Sequence, residues 1–152
     1  MIGMTGTTEN AYLGGRVTIR QPAQGYRAGV DPVLLAASIP VKTGETVLEL
    51  GCGGGAALAC LATRVSGITC TGVEMQPAYA ALAQRNLDDN ALAGTVHCAD
   101  LSNLPADVKS QRFDHVIANP PYFEDFRAVA ARSQERAVSR SGALPLEKWV
   151  SV

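Results

Sequence analysis

From residue 46 onward, short runs of β-branched and apolar residues alternate with longer Ala/Leu-rich stretches. The runs at 46–50, 68–73, 95–98 and 113–118 have strand length and are bounded by breakers, whereas 56–65 and 77–90 read as helices. Strands separated by helices at this interval predict parallel βαβ units with right-handed crossovers, hence a doubly wound, Rossmann-like α/β sheet. Ahead of it, the alternation of Arg16-Val17-Thr18-Ile19-Arg20 between Gly14-Gly15 and Gln21-Pro22 predicts a short strand or hairpin. Asp31-Pro32 offers an N-cap followed by proline at the first helical position, predicting a helix to about Ile39 that Pro40 stops.

The last predicted strand runs into Asn119-Pro120-Pro121-Tyr122. Two prolines donate no backbone hydrogen bond and fix φ, so the strand ends in a stiff turn. Carbonyl oxygens held in set directions, beside an Asn amide and a tyrosine ring, can grip a planar amine by two acceptors and a flat face. That is equipment for chemistry on an exocyclic base nitrogen or an amide.

A second constellation lies after the first core strand, in Glu49-Leu50-Gly51-Cys52-Gly53-Gly54-Gly55-Ala56. Glycines let the backbone turn tightly and approach a ligand beside the next helix N-terminus. Gly51, Gly53 and Ala56 also satisfy the dinucleotide pattern, so the glycines alone leave the cofactor open. Glu49 directly before them disfavours a pyrophosphate and suits the cationic methionine end of S-adenosylmethionine. Asn-Pro-Pro-Tyr, moreover, has no evident use in hydride transfer. Glu74 closes the second strand, where a carboxylate can accept from both ribose hydroxyls, and Asp100 follows the third, where it can meet an adenine amino group or merely cap a turn.

With 152 residues, 47% of them hydrophobic, and a formal net charge of −1, the chain reads as one soluble globular domain without a global sign of nucleic-acid binding. We divide it into a lead-in (1–45), a cofactor-binding core (46–122), and a basic flap with the start of a helix (123–152). Met1 to Asn10 lacks the basic start and apolar stretch of a signal peptide, and the apolar stretch around 33–41 is too short to span a bilayer. A cytoplasmic protein is expected. Cys52, Cys60, Cys70 and Cys98 lack CxxC spacing, and three of them fall in predicted core elements, so buried thiols are expected rather than disulfides or zinc. His97 and His115 lie in strand-like runs that suit core or edge roles, and no metal site is expected.

In combination these motifs resemble the class I S-adenosylmethionine-dependent methyltransferases, in the Asn-Pro-Pro-Tyr branch that methylates exocyclic or amide nitrogens. The lead-in Gln21-Pro22, Gly25-Tyr26-Arg27-Ala28-Gly29-Val30-Asp31 and Leu34-Leu35-Ala36-Ala37 is similar to that of the bacterial tRNA1(Val) adenine-37 N6-methyltransferase family. The resemblance implies a seven-stranded sheet, S-adenosylmethionine as donor and an anticodon-loop adenine in tRNA as acceptor. It puts Glu49, Gly51, Gly53, Glu74 and Asp100 on cofactor positions. Asn119, Pro120 and Tyr122 fall on the acceptor site, with Tyr122 stacking on the base. Release-factor glutamine N5-methylation, ribosomal RNA guanine N2-methylation and a non-catalytic cofactor-binding fragment stay open as alternatives.

Residues 123–140 are polar and arginine-rich, reading either as a solvated face or as a basic flap in which Arg127, Arg132, Arg136 and Arg140 meet RNA phosphates. Residues 144–152 look like the start of a helix with Trp149 toward the core. A fourth strand left at a sheet edge exposes an apolar flank, so the expected sheet is larger and the chain a truncated piece lacking the C-terminal strands. Oligomeric state is not readable from the sequence.

Overall fold

The computed structural model describes residues 6–120 and 146–151. An antiparallel hairpin of β1 (Thr7–Tyr12) and β2 (Val17–Pro22) leads into helix α1 (Asp31–Ser38). Then follow β3 (Thr46–Leu50), α2 (Ala56–Arg64), β4 (Thr69–Glu74), α3 (Pro77–Asp89) and β5 (Gly94–Cys98). The short helix α4 (Ala106–Ser110), strand β6 (His115–Ala118) and helix α5 (Leu146–Val150) complete the described elements. Strands β3 to β6 form one parallel sheet in the order β5-β4-β3-β6. The chain winds outward from β3 through β4 to β5, then returns to the other side of β3, so the strand order reverses between β3 and β6. Open α/β sheets bind ligands at such a switch point, beyond the carboxyl ends of the strands.

Side chains alternate across these strands. Val47, Cys70 and Ile117 join one core with Leu58, Leu61 and Leu87 of α2 and α3. Leu48, Leu50 and Val73 face the other way, toward Leu101, Leu104 and Val108, with Trp149 packed against them as expected. Seven of the nine residues of α2 are buried, which explains a helix built almost wholly of Ala, Leu and Cys.

Several details depart from the sequence reading. The expected hairpin is present, but its first strand begins at Thr7, where Thr-Thr-Glu-Asn-Ala-Tyr carries little apolar signal and is a strand through pairing with β2. Asp31 is the first residue of α1 instead of its cap, since the Val30 carbonyl accepts from Val33 and Leu34 at 3.0 and 3.1 Å. The run at 113–118 is only partly buried. β6 lies at the sheet edge, where Ile117 is 4% exposed but Val116 is 58% exposed. Cys60 and Cys70 are buried as expected, yet Cys98 is exposed, while Cys52 is buried over Gly72.

The hairpin is fastened to α3 by two asparagines. Asn86 Oδ1 accepts the Arg20 N–H at 2.8 Å and its Nδ2 donates to the Arg20 carbonyl at 3.0 Å. One turn further on, Asn90 treats Thr18 in the same way, at 3.0 and 2.7 Å. The match is geometric: four residues of helix rise about 6 Å and two residues of strand about 6.6 Å. Asn86 Nδ2 also donates to the Gly54 carbonyl at 2.8 Å, which ties the hairpin to the glycine loop. Asn86 has no solvent exposure. Asn86→Ala strands a buried N–H and two carbonyls, so a loss of roughly 2–4 kcal/mol is expected in urea unfolding. Asn90→Ala, at a more exposed site, should cost less. Equal costs would argue against the buried bridge.

Candidate cofactor and acceptor site

Strand alternation places Glu49 on the face of Val47, and Glu74 on the face of Cys70 and Gly72. Both carboxylates therefore point to the α2 side of the sheet, near its carboxyl end. Gly72, opposite Glu49 in the register, has no Cβ, and that is where Cys52 and Leu58 pack. Beyond β3 the chain turns through Gly51 and Gly53, at φ +65° and +53°, a region that L side chains enter with strain. The Gly53 N–H donates to Glu74 Oε2 at 3.0 Å and the Gln76 N–H to Oε1 at 2.8 Å. Glu74 thus shapes the loop while each oxygen keeps a further lone pair.

One cavity is bordered by Glu49, Gly51, Gly53, Glu74, Asp100 and Asn119. All five expected cofactor residues meet there, together with Asn119 of the acceptor motif. Pro120 follows Asn119 directly; Pro121, Tyr122, Arg127, Arg132, Arg136 and Arg140 lie outside the described residues. Asp100 has both anticipated sides. It borders the cavity, and its Oδ1 caps the next turn by accepting from the Ser102 N–H at 2.8 Å and hydroxyl at 2.7 Å.

Glu49 is 3% exposed, and its Oε2 is the one buried side-chain polar atom among the described residues with no hydrogen-bond partner. Burial pushes its carboxyl up to about 8; the Leu58 N–H opposes the shift and the Glu74 charge adds to it. Burial also raises Glu74, against backbone N–H groups of Gln76, Gly53 and Met75. The Ser102 hydroxyl, then its N–H, holds Asp100 below the usual carboxylate range. Two carboxyl groups with acceptor capacity left over, in a glycine-lined recess, suit an ammonium group and hydroxyl donors.

The side wall was not anticipated as part of the site. Arg20, Gln21 and Pro22 of β2 border the cavity with Tyr26 and Tyr79. The Tyr79 hydroxyl accepts the Tyr26 N–H at 3.0 Å and donates to the Tyr26 carbonyl at 3.1 Å. Tyr12 and Gln21 hold Ala28 in turn, through its carbonyl at 3.0 Å and its N–H at 2.7 Å. The Gln-Pro…Gly-Tyr-Arg signature was the available signal, without a role attached to it. His115 meets Glu45 at 2.9 Å at the opposite end of the sheet, and His97 lies 3.8 Å from Asp107, so both take edge roles away from the cavity.

A family model, the methyltransferase small domain, matches residues 28–143. The chain belongs to that family. This methyltransferase small domain is 31% identical over 125 residues to the tRNA1(Val) (adenine(37)-N6)-methyltransferase of Haemophilus influenzae, covering 80% of the chain and 53% of that protein. It is 33% identical over 117 residues to the protein of the same name from Yersinia pestis, covering 75% of the chain and 46% of the relative. It therefore spans about half the length of the curated relatives it matches. Among solved structures it resembles the Pyrococcus abyssi tRNA (uracil-54, C5)-methyltransferase in complex with S-adenosyl-L-homocysteine. The TM-score is 0.59 and the identity 21%, over 76% of this chain and 28% of that one. It also resembles an S-adenosylmethionine-dependent methyltransferase from Thiobacillus denitrificans in complex with S-adenosyl-L-homocysteine. Here the TM-score is 0.50 and the identity 22%, over 59% and 36% of the two chains. At these identities the solved structures establish the fold. Among the described residues no helix is long and apolar enough to cross a membrane.

Proposed function

We propose that this chain binds S-adenosylmethionine between Glu49 and Glu74 and directs its methyl group to the N6 of an adenine in the anticodon loop of tRNA. The observation that carries the reading is the convergence of the Glu49–Glu74 recess and Asn119 on one cavity at the switch point. The activity for which the Haemophilus and Yersinia relatives are named supports the choice of tRNA adenine, and a tRNA substrate is consistent with a cytoplasmic protein.

The residues fit the donor. Glu49 Oε2, buried and unpartnered, suits an ammonium group; Glu74 has lone pairs left for ribose hydroxyls; Asp100 at the rim suits an adenine amino group. When bound, the donor supplies an electrophilic methyl on a positively charged sulfur. An aromatic amine is a poor nucleophile because its lone pair is delocalised into the ring. The Asn119 side-chain oxygen and the Pro120 carbonyl each accept one N–H, which favours a pyramidal nitrogen with its lone pair directed at the methyl. Nitrogen gains the N–C bond, sulfur keeps the electrons of the broken S–C bond, and the surplus N–H proton leaves to water. Most of the rate gain comes from positioning. Tyr122 stacks on the base, and Arg127 and Arg132 contact phosphates, giving salt-dependent binding. A loop nucleotide leaves its stack for such a pocket at lower cost than a paired one.

The test is labelled methyl transfer to unmodified tRNA, release factor and ribosomal RNA, each digested and resolved by chromatography. Label is expected in N6-methyladenosine from tRNA alone. Label in glutamine or N2-methylguanosine overturns the acceptor, and cofactor binding without any transfer leaves a binding module.

A further inference from the structure

The glycine loop is gripped at two places. The Gly53 N–H is held by Glu74, a residue that borders the cavity. The peptide between Gly54 and Gly55 is fixed at both ends. Its N–H, from Gly55, donates to the Cys52 carbonyl at 2.8 Å, and its carbonyl, from Gly54, accepts from Asn86 Nδ2 at 2.8 Å. Only a glycine lets α3 come so close. A Cβ added to Gly55, at φ +77°, would stand 3.0 Å from Ala83 Cβ and 3.1 Å from its Cα. The loop backbone therefore lies directly on α3, and Asn86, about one turn beyond Ala83, can reach Gly54.

The same carboxamide holds a second part of the cavity lining. It binds the N–H and carbonyl of Arg20, and Arg20, Gln21 and Pro22 border the cavity, as do Gly53 and Gly54. Asn86 itself is fully buried and does not border it. Its NH2 group sends one N–H to the Arg20 carbonyl and the other to that of Gly54, so the reach of one amide sets the spacing between hairpin and loop. Asn90 is the internal contrast. It clasps Thr18 in the same manner, but its further bond goes to the Asn86 carbonyl within α3, not to the loop.

We propose that Asn86 is a positioning residue for the methyl donor, holding the Gly54 carbonyl beside that of Arg20 so that the glycine loop keeps the shape the donor binds. The inference rests on the cofactor assignment made under the proposed function. A loop that takes this shape only part of the time binds its ligand more weakly by that fraction. Fastening of the hairpin, which Asn86 shares with Asn90, has no such effect on the donor.

Asn86→Asp keeps the shape of the side chain but replaces its NH2 by an oxygen. One oxygen still accepts the Arg20 N–H, while the other faces two carbonyls that repel it when charged. Burial favours its neutral form, so acid restores one donor. Nearby Arg20, paired with Glu9 and Asp89, and Arg85, paired with Asp89, are common to variant and wild type, as is Glu49, so the ratio of affinities isolates the introduced group. Wild type, Asn86→Asp and Asn90→Asp are titrated with S-adenosylhomocysteine by calorimetry at about pH 6 and about pH 8.5. Asn86→Asp should bind about five- to hundredfold more weakly than wild type at the alkaline pH, and the deficit should shrink by about threefold or more at the acid one. Asn90→Asp should stay within about threefold of wild type at both. Circular dichroism shows whether each variant is folded, and the wild type gives a second reading that needs no variant. Coupling is reciprocal, so saturating ligand should slow solvent exchange of the Asn86 side-chain protons by about threefold or more relative to those of Asn90, followed by nuclear magnetic resonance. Equal weakening by the two variants, a deficit identical at both pH values, unchanged affinity in Asn86→Asp, or Asn86 exchange unmoved by ligand overturns the proposal. If the wild type does not bind the ligand, the cofactor assignment itself fails and this inference falls with it.

Discussion

Asn119→Ala is expected to reduce methyl transfer by about a thousandfold or more while leaving S-adenosylmethionine affinity within about threefold. The asymmetry follows from where each part is built. The recess proposed for the donor belongs to β3, β4 and the turn through Gly51 and Gly53, and the Glu74 hydrogen bonds that shape it involve no atom of Asn119. Asn119 stands past the end of β6, on the neighbouring strand. Truncation removes one of the two acceptors assigned to the amine and disturbs no buried bond among those described. Labelled transfer and calorimetry on the same preparation separate the two effects. Near-normal turnover in the alanine variant ends the assignment, and loss of cofactor affinity alongside turnover relocates Asn119 to the donor site.

The second large effect is a stability that declines as the solution becomes more alkaline. Glu49 titrates near 4.5 when unfolded and at about 8 when folded, chiefly because burial penalises its charge. Between those values the folded chain holds the extra proton, so stability is greatest below about pH 4.5, falls as pH rises, and levels off above about pH 8. Three and a half pH units correspond to a span on the order of 5 kcal/mol for this group. Glu74 is also raised and adds to the slope. Asp89, Asp100, Asp114 and Glu45 are lowered, so their contributions are lost at the acid end instead. Glu49→Gln should remove most of the decline, leaving a variant more stable than wild type at pH 8.5 and similar to it near pH 4.5. Urea unfolding at several pH values measures this. Parallel pH profiles in the two proteins would sink the account.

The sheet was legible because its strands and helices differ in period and length, and the borders of the cavity because Glu49 and Glu74 sit at strand ends beside glycines. What stayed hidden depends on contacts between distant segments. Asn86 and Asn90 read as the polar end of a helix until β2 is seen lying across them. Nothing in the residues around Trp149 points to Gly51, nearly a hundred positions earlier in the chain. Strand β1 carries almost no apolar signal of its own, since its partner supplies the hydrogen bonds. The apolar run before Asn119 suggested a buried strand, yet hydrophobicity cannot tell a central strand from an edge, and Val116 faces solvent.

The asparagine pair on α3 has one more consequence. A two-stranded ribbon ordinarily offers its outer backbone as a template on which another polypeptide can add a strand. Here the amides of Asn86 and Asn90 already occupy the N–H and C=O groups of Thr18 and Arg20 that an intruding strand needs. They also set the register, because sliding β2 by one residue would turn Val17, Ile19 and Gln21 outward and leave both amides unmatched. A pair of helical side chains thus serves as a sterile third strand, occupying the flank of β2 without extending the ribbon and denying that flank to another chain.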